Sequence, residues 1–306
     1  MEHPPKIVNK TEGDHSSFEQ AINLGIQHAL KRVKERFEQA ENPLDRLDYH
    51  NSAHTTAVIE RTKKILRTVE EAVPGSLSER LIGLGEYIAA NHDTVQEYEI
   101  VTRESDGAQI RRRFAQRNET ASADEALEDI HKINPDLLTA EEKDLVRRAI
   151  DVTVPDYDPK LGTVIQPNLT PESSLVIRAL ALADLGAAGM DEYEAFAEEG
   201  NANFREENID IAQAVAEPQN VSEEQKTAFT KRMLAWSETQ RRFAEGRKAM
   251  LDTELAGLPE EAQRAVAGLF THFNENIQHA QARTEVRNTL PFEELIRDFG
   301  YPVSTH

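Results

Sequence analysis

Residues 76–93, SLSERLIGLGEYIAANHD, carry the pattern that decides the fold. Ser76 and Ser78 are candidate helix caps, and Leu81, Leu84, Ile88 and His92 recur at the spacing that lines one face of an α-helix. Such a stripe packs inward, so its last position turns an imidazole towards the core, and the carboxylate of Asp93 follows directly. Upstream, Pro74-Gly75 ends a second helix predicted over 53–72, on which His54, Val58, Ile65 and Val69 share a stripe. Downstream, Thr170 as cap and Pro171 at the first position open a helix predicted over 171–187, where Ile177, Leu180, Ala181 and Asp184 fall at i, i+3, i+4 and i+7. Three helices therefore aim a His, a His-Asp pair and an Asp inward.

The rest of the chain reads as helix too. A helix is predicted over 17–40, stopped by Asn42-Pro43, with a loose, Pro-containing N-terminus over 1–14. Further helices are predicted over 122–133 and 140–151, then two long ones over 222–255 and 259–289 that join near Gly257-Leu258-Pro259 as a helical hairpin. Gln96 to Asn118 has no clean period and reads as a functional loop. With no alternating strand run of useful length, the fold class is all-α. The organisation is a helical domain over 15–205 and a C-terminal hairpin over 206–306, packed on that domain or forming a dimer interface.

Composition narrows the chemistry. Hydrophobic residues make up 39% of the 306, enough for a globular core, and 55 Asp and Glu against 35 Lys and Arg give a formal charge of −20. That field repels nucleic-acid polymers and anionic membranes, and no apolar run suffices to span a bilayer, so a cytoplasmic protein acting on a small molecule is expected. The absence of cysteine removes disulfides, thiolate nucleophiles and thiolate metal sites. His and carboxylates remain as ligands. Two imidazoles and two carboxylates converging on one point would suit manganese, iron, zinc, nickel or magnesium, with positions left open for water. Taken singly, each has an ordinary explanation: a hydrogen-bonded core His, a chance His-Asp dipeptide, an Asp bonded to backbone amides.

The segment Tyr49-His50-Asn51-Ser52-Ala53-His54 resembles the YHNxxH motif of cyclic-nucleotide phosphodiesterases. Ala89-Ala90-Asn91-His92-Asp93-Thr94-Val95 resembles the central motif of HD-superfamily phosphohydrolases, and Ala181-Leu182-Ala183-Asp184-Leu185-Gly186 the distal Asp motif. The resemblance runs from residue 49 to 186, less than half of the chain. It implies a helical domain in which His54, His92, Asp93 and Asp184 bind a divalent metal, with Asp93 bridging if a second ion is present. It also implies that His50 protonates the leaving oxygen, a role suited to a group that titrates near neutrality. The activity implied is hydrolysis of a small phosphate ester, foremost a nucleotide, by metal-activated water. The rival expectation is a non-catalytic HD domain that senses a nucleotide or a protein partner.

The pattern departs from some relatives. Only His131 lies between the His-Asp pair and Asp184, in a polar helix where it reads as solvent-exposed, which argues against the HD-GYP cyclic-dinucleotide type and against HD-type di-iron oxygenases. His92 to Glu97 is similar to the HDxxED stretch of guanosine-tetraphosphate hydrolases, with Gln96 in place of the first acid. Arg113 and Arg117 of the arginine-rich loop, with Asn51 and Glu97, are the candidate substrate contacts. Ser122 followed by Glu125 reads as a capping box, Trp236 to Phe243 as core packing and surface charge, and His272 and His279 as structural residues.

Overall fold

The Ser78 side chain accepts a hydrogen bond from the Leu81 amide and starts a helix over Glu79–Asn91, while Asn51 accepts from the amides of Ala53 and His54 and starts another over Ser52–Ala72. These two helices pack directly on one another because Gly85 carries no side chain: a Cβ there would stand 2.5 Å from Cδ1 of Leu66. The computed structural model describes residues 12–42, 45–216 and 220–302.

Among them the chain runs α1 (Glu12–Val33), continued by a π-turn over Lys34–Glu38, then α2 (Ser52–Ala72) and α3 (Glu79–Asn91). Strands β1 (Tyr98–Thr102) and β2 (Gln109–Arg113) follow, then α4 (Arg117–Ile133), α5 (Ala140–Asp151), β3 (Asp156–Asp158) and β4 (Thr163–Ile165). The remainder is helical: α6 (Leu175–Asp184), α7 (Ala187–Met190), α8 (Tyr193–Glu207), α9 (Ile209–Val215), α10 (Glu223–Leu255), α11 (Glu260–Ala267), α12 (Phe273–Arg287) and α13 (Phe292–Asp298). The fold is all-α, with two short antiparallel hairpins as its only sheets among the described residues. No described helix is long and apolar enough to cross a membrane.

The main core extends from Phe18 on α1 through α2, α3, α5 and α6 to Ala244, Leu255 and Ala280 on the long C-terminal helices. A smaller core gathers Phe204, Phe229, Met233, Phe292, Leu295 and Phe299. Helix α12 runs back along α10: Lys248 bonds Asn274 at 2.7 Å near one end, and Arg287 bonds Ser237 at 2.9 Å further up.

Several expected boundaries move. Residues 12–14 belong to α1 rather than to a loose terminus; residues 1–11 and Pro43 lie outside the described residues. Within the stretch from Gln96 to Asn118, residues 98–113 form an ordered β1–β2 hairpin, with Ile100 facing Arg111, Val101 facing Ile110, and Gly107 supplying the positive φ its turn needs. Helix α4 begins at Arg117, so Ser122 is no cap: it lies fully buried inside the helix, and its Oγ accepts from the Val95 amide at 3.0 Å. Ser174, not Thr170, caps α6, because a turn closed from the Ser173 amide to the Thr170 carbonyl at 3.1 Å comes first. The predicted helix over 259–289 is two helices, interrupted where the His272 amide bonds the Gly189 carbonyl at 2.9 Å and draws the chain onto α7.

Candidate metal centre

His54 stands in the first turn of α2, His92 and Asp93 lie just past the end of α3, and Asp184 closes α6. One ligand atom from each lies within 4.8 Å of every other. The Nε2 of His92 is 3.0 Å from Asp93 Oδ2 and 3.5 Å from Asp184 Oδ1, and the Nε2 of His54 is 3.6 Å from each of the same two oxygens. Donors bonded to one ion at about 2.0–2.2 Å lie at most about twice that apart, so a contraction of a few tenths of an ångström would close the set on a metal.

The outer contacts of the four residues fit the same end. Nδ1 of His92 donates to the Ala89 carbonyl at 2.7 Å, which leaves its Nε2 unprotonated and directed at the carboxylates when the ring is neutral. Nδ1 of His54 faces Glu199 Oε2 at 3.7 Å, and Arg61, buried beneath, pairs with Glu199 and Asp191. Both Nε2 atoms are buried yet make no hydrogen bond of good geometry. Buried imidazole nitrogens are normally satisfied, and two such orphans facing two carboxylates are what a ligand set leaves behind.

Burial alone would depress the two imidazoles, but the surrounding carboxylates outweigh it: Asp184, Asp93 and Glu199 hold His54 well above its ordinary range, and Asp93 and Asp184 push His92 up to about 10. Burial likewise opposes ionisation of Asp93 and Asp184, and the facing imidazoles overcome it and hold both carboxyls low. The metal-free fold thus keeps on His92, from its ordinary 6.5 up to about 10, a proton that a metal must displace. Metal uptake is expected to release protons across that window, and apparent affinity to rise with pH within it. Calorimetric titration in buffers of different ionisation enthalpy measures the release directly.

His50 lies beside this cluster, with its Nε2 3.9 Å from Asp93 Oδ2. Its Nδ1 bonds Glu206, whose other oxygen accepts from the amides of Tyr49 at 2.8 Å and His50 at 3.0 Å. Burial opposes ionisation of Glu206, but His50 and these amides hold its carboxyl down at about 2. A cavity of about 610 Å³ opens over His50, Asp93 and Asp184. One face of α8 lines it with Phe196, Glu199, Gly200, Asn203 and Glu206; across from them stand Trp236, Gln240 and Phe243 of α10. The rings of Phe196 and Phe243 lie nearly parallel with centroids 6.3 Å apart, and the Trp236 indole donates to the Gly200 carbonyl at 2.9 Å. The Trp236 to Phe243 segment, read from sequence as core and surface, does pack Trp236 and Phe243 against the two cores, and it also contributes Trp236, Thr239, Gln240 and Phe243 to the cavity wall.

Of the expected substrate contacts, Arg113 lines the cavity, with Nη2 3.5 Å from Asp93 Oδ1 and 3.4 Å from Glu119 Oε1. The structure does not bring Asn51, Glu97 or Arg117 there. Glu97 and Arg117 are exposed and pair with one another at 2.5 Å on the outer surface, where the Arg117 guanidinium covers the Phe114 ring. Asn51 is consumed by capping α2. Replacing it with alanine is expected to cost about 1 kcal/mol of stability, the usual worth of such a cap, read from denaturant unfolding of the metal-free protein. His131 is exposed, as its polar helix suggested.

No match is found. Protein-family models, curated proteins and solved structures all fail to pair with this chain. The structure itself supplies a buried His54, His92, Asp93 and Asp184 group able to hold a metal ion, of which Asp93 and Asp184 line the cavity.

Proposed function

We propose that the protein is a metal-dependent phosphohydrolase or phosphodiesterase of HD type, acting on a small phosphate ester and foremost on a nucleotide. The observation that carries this reading is the placement of His50, backed by Glu206, 3.9 Å from Asp93 at the edge of the candidate metal group and facing a cavity. A metal held by His54, His92, Asp93 and Asp184 would polarise the phosphoryl oxygens and lower the pKa of a water beside them.

The chain's own residues supply the rest. Glu206 accepts a hydrogen bond from Nδ1–H of His50 and fixes the ring, which leaves Nε2 as the atom that would act as general acid. The water gives up a proton to solvent at its lowered pKa; as the resulting hydroxide oxygen bonds to phosphorus and the ester P–O bond breaks, the Nε2 proton passes to the departing oxygen. Arg113, on the cavity wall, offsets the negative field of Asp93 and Glu119 where an anionic ester must approach. Phe196, Trp236 and Phe243 offer apolar surface to the organic part of the substrate, with the Gln240 carboxamide beside them.

The test is a panel of phosphomonoesters, nucleotides and phosphodiesters incubated with protein that has been chelator-stripped and then reloaded with manganese, iron, zinc, nickel or magnesium. Metal-dependent release of phosphate or of the free alcohol supports the reading. Tight nucleotide binding without turnover in any metal form would favour the sensor instead.

A further inference from the structure

Asp93 and Asp184 each turn one carboxylate oxygen to the imidazoles and give the other to a glutamine. Oδ1 of Asp93 accepts from Gln96 Nε2 at 2.8 Å, and Oδ2 of Asp184 accepts from Gln166 Nε2 at 3.0 Å. The remaining oxygens, Asp93 Oδ2 and Asp184 Oδ1, are the ones 3.0–3.6 Å from the two Nε2 atoms. Both glutamines are buried, with 9% and 5% of their surface exposed, and they come from different parts of the chain: Gln96 follows α3, and Gln166 follows β4. The amide orientation is dictated chemically, since a reversed carboxamide would press its oxygen against a carboxylate.

Their far ends differ. Gln96 Oε1 accepts from Arg113 Nε at 2.7 Å and Asn118 Nδ2 at 3.4 Å, whereas Gln166 Oε1 is buried without a partner. A buried amide oxygen left unsatisfied is a cost, so the contact that holds Gln166 in place is its bond to Asp184. Resting on the metal reading above, we propose that Gln96 and Gln166 are a matched pair of positioning residues. They hold the two carboxylates to one oxygen each towards the metal and so set its affinity and coordination number. A neutral amide fixes a carboxylate without neutralising it; at Asp93 Gln96 shares Oδ1 with Arg113 Nη2, 3.5 Å away, and holds that guanidinium through its own Oε1.

The experiment is cobalt(II) titration of the full-length, chelator-stripped protein as wild type, Gln166→Met and Gln96→Met. Methionine keeps the approximate shape and removes the donor. Three quantities are read: the cobalt Kd by competition with a chelating dye, the visible absorption of the bound cobalt, and the Tm of the metal-free protein. The expected result for each variant is a Kd weakened about 10- to 100-fold, as for other outer contacts of metal ligands, with an altered cobalt spectrum. The metal-free Tm stays near that of wild type in Gln166→Met and falls in Gln96→Met, which also takes the acceptor from Arg113 Nε, so that the Gln96 affinity loss must exceed what the Tm change accounts for. A wild-type Kd and spectrum in either variant overturns the proposal for that glutamine. Affinity lost only in step with metal-free Tm assigns the residue a structural role and overturns it too. A wild type that takes up no cobalt overturns the metal reading itself, which separates that failure from the failure of this one.

Discussion

Replacing His92 with alanine is expected to strip the protein of its metal. His92 contributes the most enclosed donor of the group, fully buried at the end of α3. Without it, His54 and two carboxylates remain, with nothing to fill the lost position but solvent. Outer contacts of metal ligands are worth about 10- to 100-fold in affinity, so loss of a ligand is expected to weaken binding by more than about 100-fold and to abolish turnover. The metal-free protein should suffer as well. His92 pairs with Asp93 at 3.0 Å and with Asp184 at 3.5 Å, and removing one partner of a buried ion pair costs about 3–5 kcal/mol. His92→Gln, which restores a polar group, separates the two losses: it is expected to recover part of the stability and none of the metal. Metal content by elemental analysis, beside denaturant unfolding of stripped protein, measures both.

His50→Gln is expected to do the reverse, leaving metal content unchanged while lowering kcat by about 10²- to 10⁴-fold, the usual worth of a general acid. The loss should depend on the leaving group. An alkoxide needs a proton as it departs, whereas a nitrophenolate does not, so the variant should approach wild type on a nitrophenyl ester. Glu206→Gln removes the carboxylate that accepts from Nδ1 of His50 and orients its ring, and is expected to cost about 10- to 100-fold in kcat with the same leaving-group pattern. Equal losses on both leaving groups would show that His50 serves structure or binding, not proton transfer.

The candidate metal group was legible because three of its four members break a rule visible in one dimension, and Asp93 adjoins one of them. His54, His92 and Asp184 occupy positions where the helical period demands an apolar residue, and local spacing alone reveals that. What surrounds them was not legible. Glu199 and Glu206 sit on an amphipathic helix among Glu198 and Glu207, and nothing in α8 marks which acids face inward. Phe196, Glu199, Asn203 and Glu206 do recur on one helical face, a mixed stripe that reads as an ordinary half-buried surface until α10 is placed opposite. Gln96 and Gln166 are neutral and lie between elements, so no periodicity speaks for them. Asn51, Glu97 and Arg117 drew attention through neighbouring motifs, but the cap of α2 and a surface ion pair account for them. The helix starts at α4 and α6 shifted for a related reason: Ser122 and Thr170 are both competent caps, and the choice among competent caps is made by tertiary contacts such as the one between Ser122 and Val95.

The central claim is that four residues from three helices hold one metal. Crystals of the full-length protein grown with manganese, with anomalous diffraction collected at the manganese edge, test it most directly. The account predicts a strong anomalous peak enclosed by the Nε2 atoms of His54 and His92 and the facing oxygens of Asp93 and Asp184. A cluster without a peak, or a peak elsewhere with these four side chains paired only to one another, would contradict it.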